Sequence, residues 1–271
     1  SPNSTKAIQL MVESERRSFA DRSKFLGDPD FNEIPVDILL NKDYLKKRMS
    51  SFSFNIATPS KDLNPGTILW EESDQTTHYS IIDINGNAVS VTTTLNGNYG
   101  SKLFVEEGGF FLNNEMDDFS IKPGEPNMYG LVGGVVNKIA PNKRMLSSMT
   151  PTIVEENGEL ALILGSPGGS SIITSVFQVI LNVFEFNMDI NRAIDNPRFH
   201  HQWVPEYIDL EPNTFSKKTV NELREKKYSI DRKRDRYIGR VDAIRVTAEG
   251  SIIPAPDKRG DDAEATIVSI D

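Results

Sequence analysis

Four short stretches of the chain gather residues able to do chemistry at a ligand. Gln75-Thr76-Thr77-His78-Tyr79-Ser80 sets two adjacent hydroxyls at the start of a β-type run. A hydroxyl becomes a nucleophile only with a base in hydrogen-bond reach. Gly165-Ser166-Pro167-Gly168-Gly169-Ser170 joins an apolar strand to an apolar helix. Glycines there let the backbone approach a ligand, and the helix start offers unpaired N–H groups. Asp117-Asp118 and Ser147-Ser148 add paired acids and paired hydroxyls. Each stretch also has an ordinary structural use. Thr-Thr is a common strand former with its hydroxyls in water. Gly-Gly serves tight turns, Asp-Asp solvated turns and Ser-Ser loops.

Composition narrows the chemistry. The 271 residues carry a net charge of −9 and no cysteine. An acidic chain lacks the electrostatic footprint of a nucleic-acid binder. The basic run Lys226, Lys227, Arg232, Lys233, Arg234 and Arg236, broken by Asp231 and Asp235, reads as a solvated helix end and turn. Disulfides and thiol catalysis are excluded. Only His78, His200 and His201 are present, and none lies in a zinc-binding HExxH pattern. No apolar run reaches the roughly 20 residues of a membrane span.

The elements that must position these residues follow from period and punctuation. Residues 5–24 read as an amphipathic helix capped by Ser4 or Thr5. Its core side carries Ile8, Met11, Val12, Glu15 and Phe19, and its outer side Glu13, Arg16, Arg17 and Asp21. A helix over 42–53 opens at Asn41, and 54–66 is a linker. From 67 the period changes to strands: 68–70, 79–84 and 88–95 around Asn85-Gly86-Asn87, then 109–112, 151–155, 160–165, 240–247 and 251–254. Residues 171–187 are apolar on nearly every helical face and must be buried between layers. Helices over 189–195 and 216–228 open at Asp189 and Ser216. The whole reads as a layered α+β domain with antiparallel sheets.

Further motifs join these stretches: Ala20-Asp21-Arg22-Ser23 with Leu26-Gly27-Asp28-Pro29-Asp30-Phe31, Leu112-Asn113-Asn114-Glu115-Met116-Asp117-Asp118-Phe119, and Tyr129-Gly130-Leu131-Val132-Gly133-Gly134. Pro141-Asn142-Lys143-Arg144-Met145-Leu146-Ser147-Ser148-Met149 and Asn196-Pro197-Arg198-Phe199-His200-His201-Gln202-Trp203 follow. In this order, the chain resembles the γ-glutamyltranspeptidases. The resemblance implies an N-terminal-nucleophile hydrolase, a four-layer αββα sandwich of antiparallel sheets whose precursor cuts itself. The cut would fall between Gln75 and Thr76. Residues 1–75 look like the tail of the large subunit with a linker to the cleavage site, and 76–271 like the complete small catalytic subunit.

The resemblance assigns Thr76 as nucleophile and Thr94 as the hydroxyl that bonds it and assists maturation. The freed α-amino group of Thr76, with a pKa near 8, would be its base. Gly168 and Gly169 match oxyanion-hole donors. Asn96, Glu115 and Asp118 match the groups holding the substrate ammonium, and Ser147 and Ser148 those bonding its carboxylate. Tyr129 matches the tip of a lid over roughly 123–134 that contacts Asn96. His200 and His201 read as structural.

The implied partners are a γ-glutamyl substrate such as glutathione, an amino-acid or peptide acceptor or water, and the rest of the large subunit. No cofactor or metal is implied, and the location would be periplasmic or secreted. The family's carboxylate-binding arginine would lie upstream of Ser1, so substrate binding by this chain alone is expected to be weak. The alternatives are a relative acting on poly-γ-glutamate or a β-lactam side-chain amide, or a non-catalytic, unprocessed fragment.

Overall fold

The computed structural model describes residues 1–63, 76–212, 214–231 and 237–265. The expected strand at 68–70, Gln75 and Arg232 to Arg236 of the basic run lie outside the described residues.

Helix α1 spans Thr5–Phe25, with Ser4 accepting from the Ala7 amide as its cap. A short turn α2 (Val36–Leu39) precedes α3 (Lys42–Arg48), which Asn41 caps. The expected helix to residue 53 continues only as one tighter turn over Met49–Ser51.

Strands β1 (Thr77–Ile82) and β2 (Ala88–Thr93) form an antiparallel hairpin with Thr77 opposite Thr93. Strands β3 (Phe104–Val105) and β4 (Phe110–Phe111) form a small second hairpin. The central sheet takes β5 (Thr152–Glu156) and β6 (Glu159–Gly165). Helix α4 (Ser171–Phe184) follows, then α5 (Ile190–Asp195), capped by Asp189. A three-stranded sheet adds β7 (Phe199–His200), β8 (Ile208–Leu210) and, after α6 (Lys217–Glu225), the parallel β9 (Ile230–Asp231). Strands β10 (Asp242–Val246) and β11 (Ile252–Ala255) complete the central sheet in the order β11-β10-β6-β5, all antiparallel.

Alternation along β6 builds the layers. Leu162 and Leu164 pack with Ile172, Val176 and Val179 of α4 and Ala193 and Ile194 of α5. The opposite face of the sheet receives the β1–β2 hairpin. There Ser90 Oγ donates to the Leu164 carbonyl at 3.0 Å. A Cβ on Gly165 would lie 2.2 Å from the His78 ring, so only glycine admits the imidazole. The described residues therefore stack helix on sheet on hairpin, three of the four layers that the resemblance implied. The hairpin turns its polar side (His78, Ser80, Ser90, Thr92) inward. Tyr79, Ile81 and Val89 point outward and are exposed.

One expectation is corrected. The charged side of α1 is not solvated: Glu13, Arg16 and Arg17 are buried. Residues 48–60 lie across it. Arg17 donates to the Arg48 carbonyl at 2.7 Å, Ser51 Oγ at 2.8 Å and Thr58 Oγ1 at 3.2 Å, and pairs with Glu13 at 2.5 Å. Arg16 reaches Ser60 Oγ at 2.5 Å and Glu206 at 3.4 Å.

Candidate active site

The hairpin register brings the two outlying threonines together. With Thr77 opposite Thr93, Thr76 and Thr94 face each other one step beyond, and Thr76 Oγ1 lies 3.3 Å from Thr94 Oγ1. Thr94 Oγ1 also accepts from the Asn96 amide at 2.9 Å. Asn96 is buried at φ 73°, a left-handed conformation that asparagine tolerates better than most residues. That bend turns its carbonyl toward Tyr129, whose hydroxyl donates to it at 2.6 Å.

The loop carrying Tyr129 is a closed hairpin. Asn127 Oδ1 accepts from the amides of Tyr129 and Leu131 at 3.0 and 3.1 Å, and the Gly124 amide bonds the Gly133 carbonyl at 2.9 Å. The Tyr129 ring lies against Gly169, where a Cβ would come within 2.7 Å of it. Gly168 and Gly169 stand at φ 134° and 55°, between β6 and α4. Both conformations favour glycine, and both glycines are buried. A continuous path of contacts thus runs Thr76–Thr94–Asn96–Tyr129–Gly169.

A second cluster holds the acids and serines. Glu115 and Asp118 lie on one tight helical turn, Glu115–Asp118. It is tied to the first cluster through Asn114, whose Oδ1 accepts from Gly97 N at 2.8 Å and whose amide bonds the Leu95 carbonyl at 3.1 Å. Asp117 accepts from Met128 N at 2.7 Å, so the acid turn also braces the loop carrying Tyr129. Burial pushes the Asp118 carboxyl up to about 7, opposed by Arg22 and reinforced by Glu115. Burial raises Glu115 as well.

Arg22 was quoted in the sequence only within a motif. Its Nη2 donates to the Leu146 and Ser147 carbonyls, both at 3.3 Å, and to Ser148 Oγ at 3.2 Å. Burial lowers its guanidinium to about 10, and Asp118 counters the shift. Arg22 therefore links the acid turn to the serine pair. Its advance signals were its place in Ala20-Asp21-Arg22-Ser23 and on the helix read over 5–24.

The histidines are set in packing. Burial holds His78 down to about 4, and its ring nitrogens meet Thr92 and Ser80 hydroxyls. His201 is buried and pushed well below its usual range, with Nδ1 bonded to the Tyr207 carbonyl at 2.7 Å. Among the described residues no three His, Asp or Glu side chains converge as a metal site requires.

Comparison with known proteins adds a wider frame. The γ-glutamyltranspeptidase family profile matches residues 1–267. The glutathione hydrolase proenzyme of Escherichia coli K12 is 46% identical over 259 residues, covering 96% of this chain and 44% of that protein. The chain thus spans less than half the length of that relative. Among solved structures, a mutant γ-glutamyltranspeptidase from Helicobacter pylori is 50% identical with a TM-score of 0.65, over 68% of this chain and all of the other. A cephalosporin acylase from Bacillus halodurans, 22% identical, overlays the whole chain with 46% of its own at a TM-score of 0.83, a likeness of fold alone.

Proposed function

The chain belongs to the γ-glutamyltranspeptidase family, and on that premise we propose that it forms the catalytic part of an enzyme transferring or hydrolysing γ-glutamyl groups through an acyl-Thr76 ester. Residues 1–75 are proposed as the end of the large subunit and 76–271 as the small subunit, completed by the remainder of the large subunit. The observation that carries this reading is the path Thr76–Thr94–Asn96–Tyr129–Gly169, which joins the hydroxyl, its partner, the lid and the glycine loop.

In maturation, Thr76 Oγ attacks the Gln75 carbonyl. The C–N bond of that peptide breaks as an ester forms, and water hydrolyses the ester to leave the Thr76 α-amino group. That amine, with an ordinary pKa near 8, is partly neutral at working pH and so can accept a proton. In turnover it takes the Thr76 hydroxyl proton while the oxygen attacks the γ-carbonyl of the substrate. The Gly168 and Gly169 amides hold the oxyanion, each such donor typically worth ~3 kcal/mol. The amine returns the proton to the leaving amide nitrogen. Water or an acceptor amine then attacks the ester in the same manner.

Asn96, Glu115 and Asp118 take the substrate ammonium, and Ser147 and Ser148 its carboxylate. This opposite pairing favours a free γ-glutamyl end, as in glutathione, over a polymer interior or a β-lactam side chain. A periplasmic or secreted location accords with the family.

The full-length protein tests the reading. Mass spectrometry is expected to find a fragment beginning at a free Thr76 amine. Thr76→Ala is expected to leave the precursor whole and lower hydrolysis of a γ-glutamyl anilide by about 10⁴-fold or more. An active, cleaved Thr76→Ala protein would remove the nucleophile assignment.

A further inference from the structure

Gln202 lies buried between the lid and the glycine loop, outside every role assigned so far. Its amide meets four partners. Nε2 donates to the Tyr129 carbonyl at 2.9 Å and the Val204 carbonyl at 3.2 Å. Oε1 accepts from Ser170 Oγ at 2.5 Å and faces His200 Nε2 at 2.8 Å. The orientation follows from the partners. A flipped amide would set its oxygen against the two carbonyl oxygens of Tyr129 and Val204. The same logic gives His200 a proton on Nε2, with Nδ1 facing Thr174 Oγ1 at 2.7 Å.

Two neighbours fit this arrangement. A Cβ on Gly130 would press within 3.1 Å of Gln202 Nε2, so the residue after Tyr129 leaves room for the amide. Ser170 directly follows Gly168-Gly169 and starts the turn into α4. One side chain therefore grips the lid by the backbone of its tip and the glycine loop by its next residue.

We propose that Gln202 is a positioning residue, which clamps the closed lid to the glycine loop so that lid closure and the geometry of the oxyanion amides are set together. The inference rests on the acyl-enzyme reading above. Gln202 touches no reacting atom. It acts through Tyr129, fixed at its carbonyl by Gln202 and at its hydroxyl by Asn96, and through Ser170. With the clamp intact, the lid stays over the acyl-enzyme and limits the approach of water. Without it, Tyr129 keeps its hydroxyl tie to Asn96 but loses the tie at its carbonyl.

The test uses full-length, processed protein carrying Gln202→Met, Gln202→Glu and, as a packing control, Gln178→Met. Gln178 is also buried and hydrogen-bonded, to the Thr174 and Phe199 carbonyls, but contacts neither lid nor glycine loop. Gln202→Met is expected to lower kcat/KM by about 10- to 100-fold, the scale of a misplaced site. It should also raise the ratio of hydrolysis to transfer several-fold. Gln202→Glu, ionised, faces two carbonyls with no donor. It is expected to move kcat/KM and the ratio in the same direction as Gln202→Met.

Gln178→Met is expected to lower Tm with the ratio unchanged. Gln202 variants that lose Tm but keep wild-type KM, kcat and ratio would overturn the proposal. Should Gln202→Met not fold, Ser170→Ala, which trims one hydroxyl from the same amide, must move the ratio the same way, and no movement overturns the proposal equally. Activity that survives Thr76→Ala would instead sink the acyl-enzyme reading, so the two failures are separable.

Discussion

At the scale of single residues, the acid turn is tuned against its own stability. The Asp118 carboxyl is raised from 3.8 to about 7, so the folded protein binds that proton more tightly than the unfolded chain. Stability from this group therefore falls as pH rises from 3.8 to about 7, then levels off. On the proposed reading the substrate ammonium needs the ionised form, so binding would move the other way. KM for a γ-glutamyl anilide is expected to rise as pH drops below about 7, with the titration expected to follow Asp118. Asp118→Asn should flatten that limb at a uniformly high KM, while calorimetry at pH 8 finds Tm raised by about 2–4 °C. A steep acid limb that persists in the Asn variant would move the titration to another group. Gly169→Ala is the complementary test. The new methyl meets the Tyr129 ring at 2.7 Å in a left-handed backbone conformation. We expect kcat to fall by about 10²-fold or more, the size of a lost oxyanion donor, with expression retained.

At the scale of elements, α1 behaves as a core helix despite its charges. Arg17 and Glu13 are both almost fully enclosed. Arg17→Ala would leave Glu13 without its closest partner and should cost about 3–5 kcal/mol in urea unfolding. Arg17→Lys is expected to recover little, because one ammonium cannot span acceptors on Arg48, Ser51 and Thr58. The limit of sequence reasoning shows here. Ser4, Asn41, Asp189 and Ser216 all cap the helices they were expected to open, because a cap is settled within four residues. The hairpin turn at Asn85-Gly86 was equally local, and through its register it brought Thr76 to Thr94. The burial of α1's charged side depends instead on residues 48–60 and 206, which no period within 5–25 encodes. Strands β3 and β7 to β9 are two or three residues long, too short to carry a pattern. Arg22's reach to Ser148 crosses 126 positions, and Gln202's to Tyr129 crosses 73. Only the folded chain reveals such pairs.

At the scale of the whole molecule, the hairpin is the incomplete surface. Tyr79, Ile81 and Val89 form an exposed apolar stripe in a chain spanning less than half of its E. coli relative. Expressed alone, residues 1–271 are expected to self-associate with concentration in sedimentation velocity. Ile81→Lys with Val89→Lys should return the monomer; if the rest of the protein covers the stripe, the same pair should lower Tm in the full-length protein. A monomeric unsubstituted chain would count against that cover. Within the chain, residues on either side of Thr76 are bound by more than the backbone. Asp28 holds Arg144 at 2.6 Å, Arg16 reaches Glu206, and the Trp203 indole donates to the Ser60 carbonyl at 3.1 Å. Scission at that threonine would therefore release no piece. The same assembly should form from two separately translated polypeptides, the second beginning at Thr76 once its initiator methionine is trimmed, and such a split gene would reach the mature state without any self-cutting step.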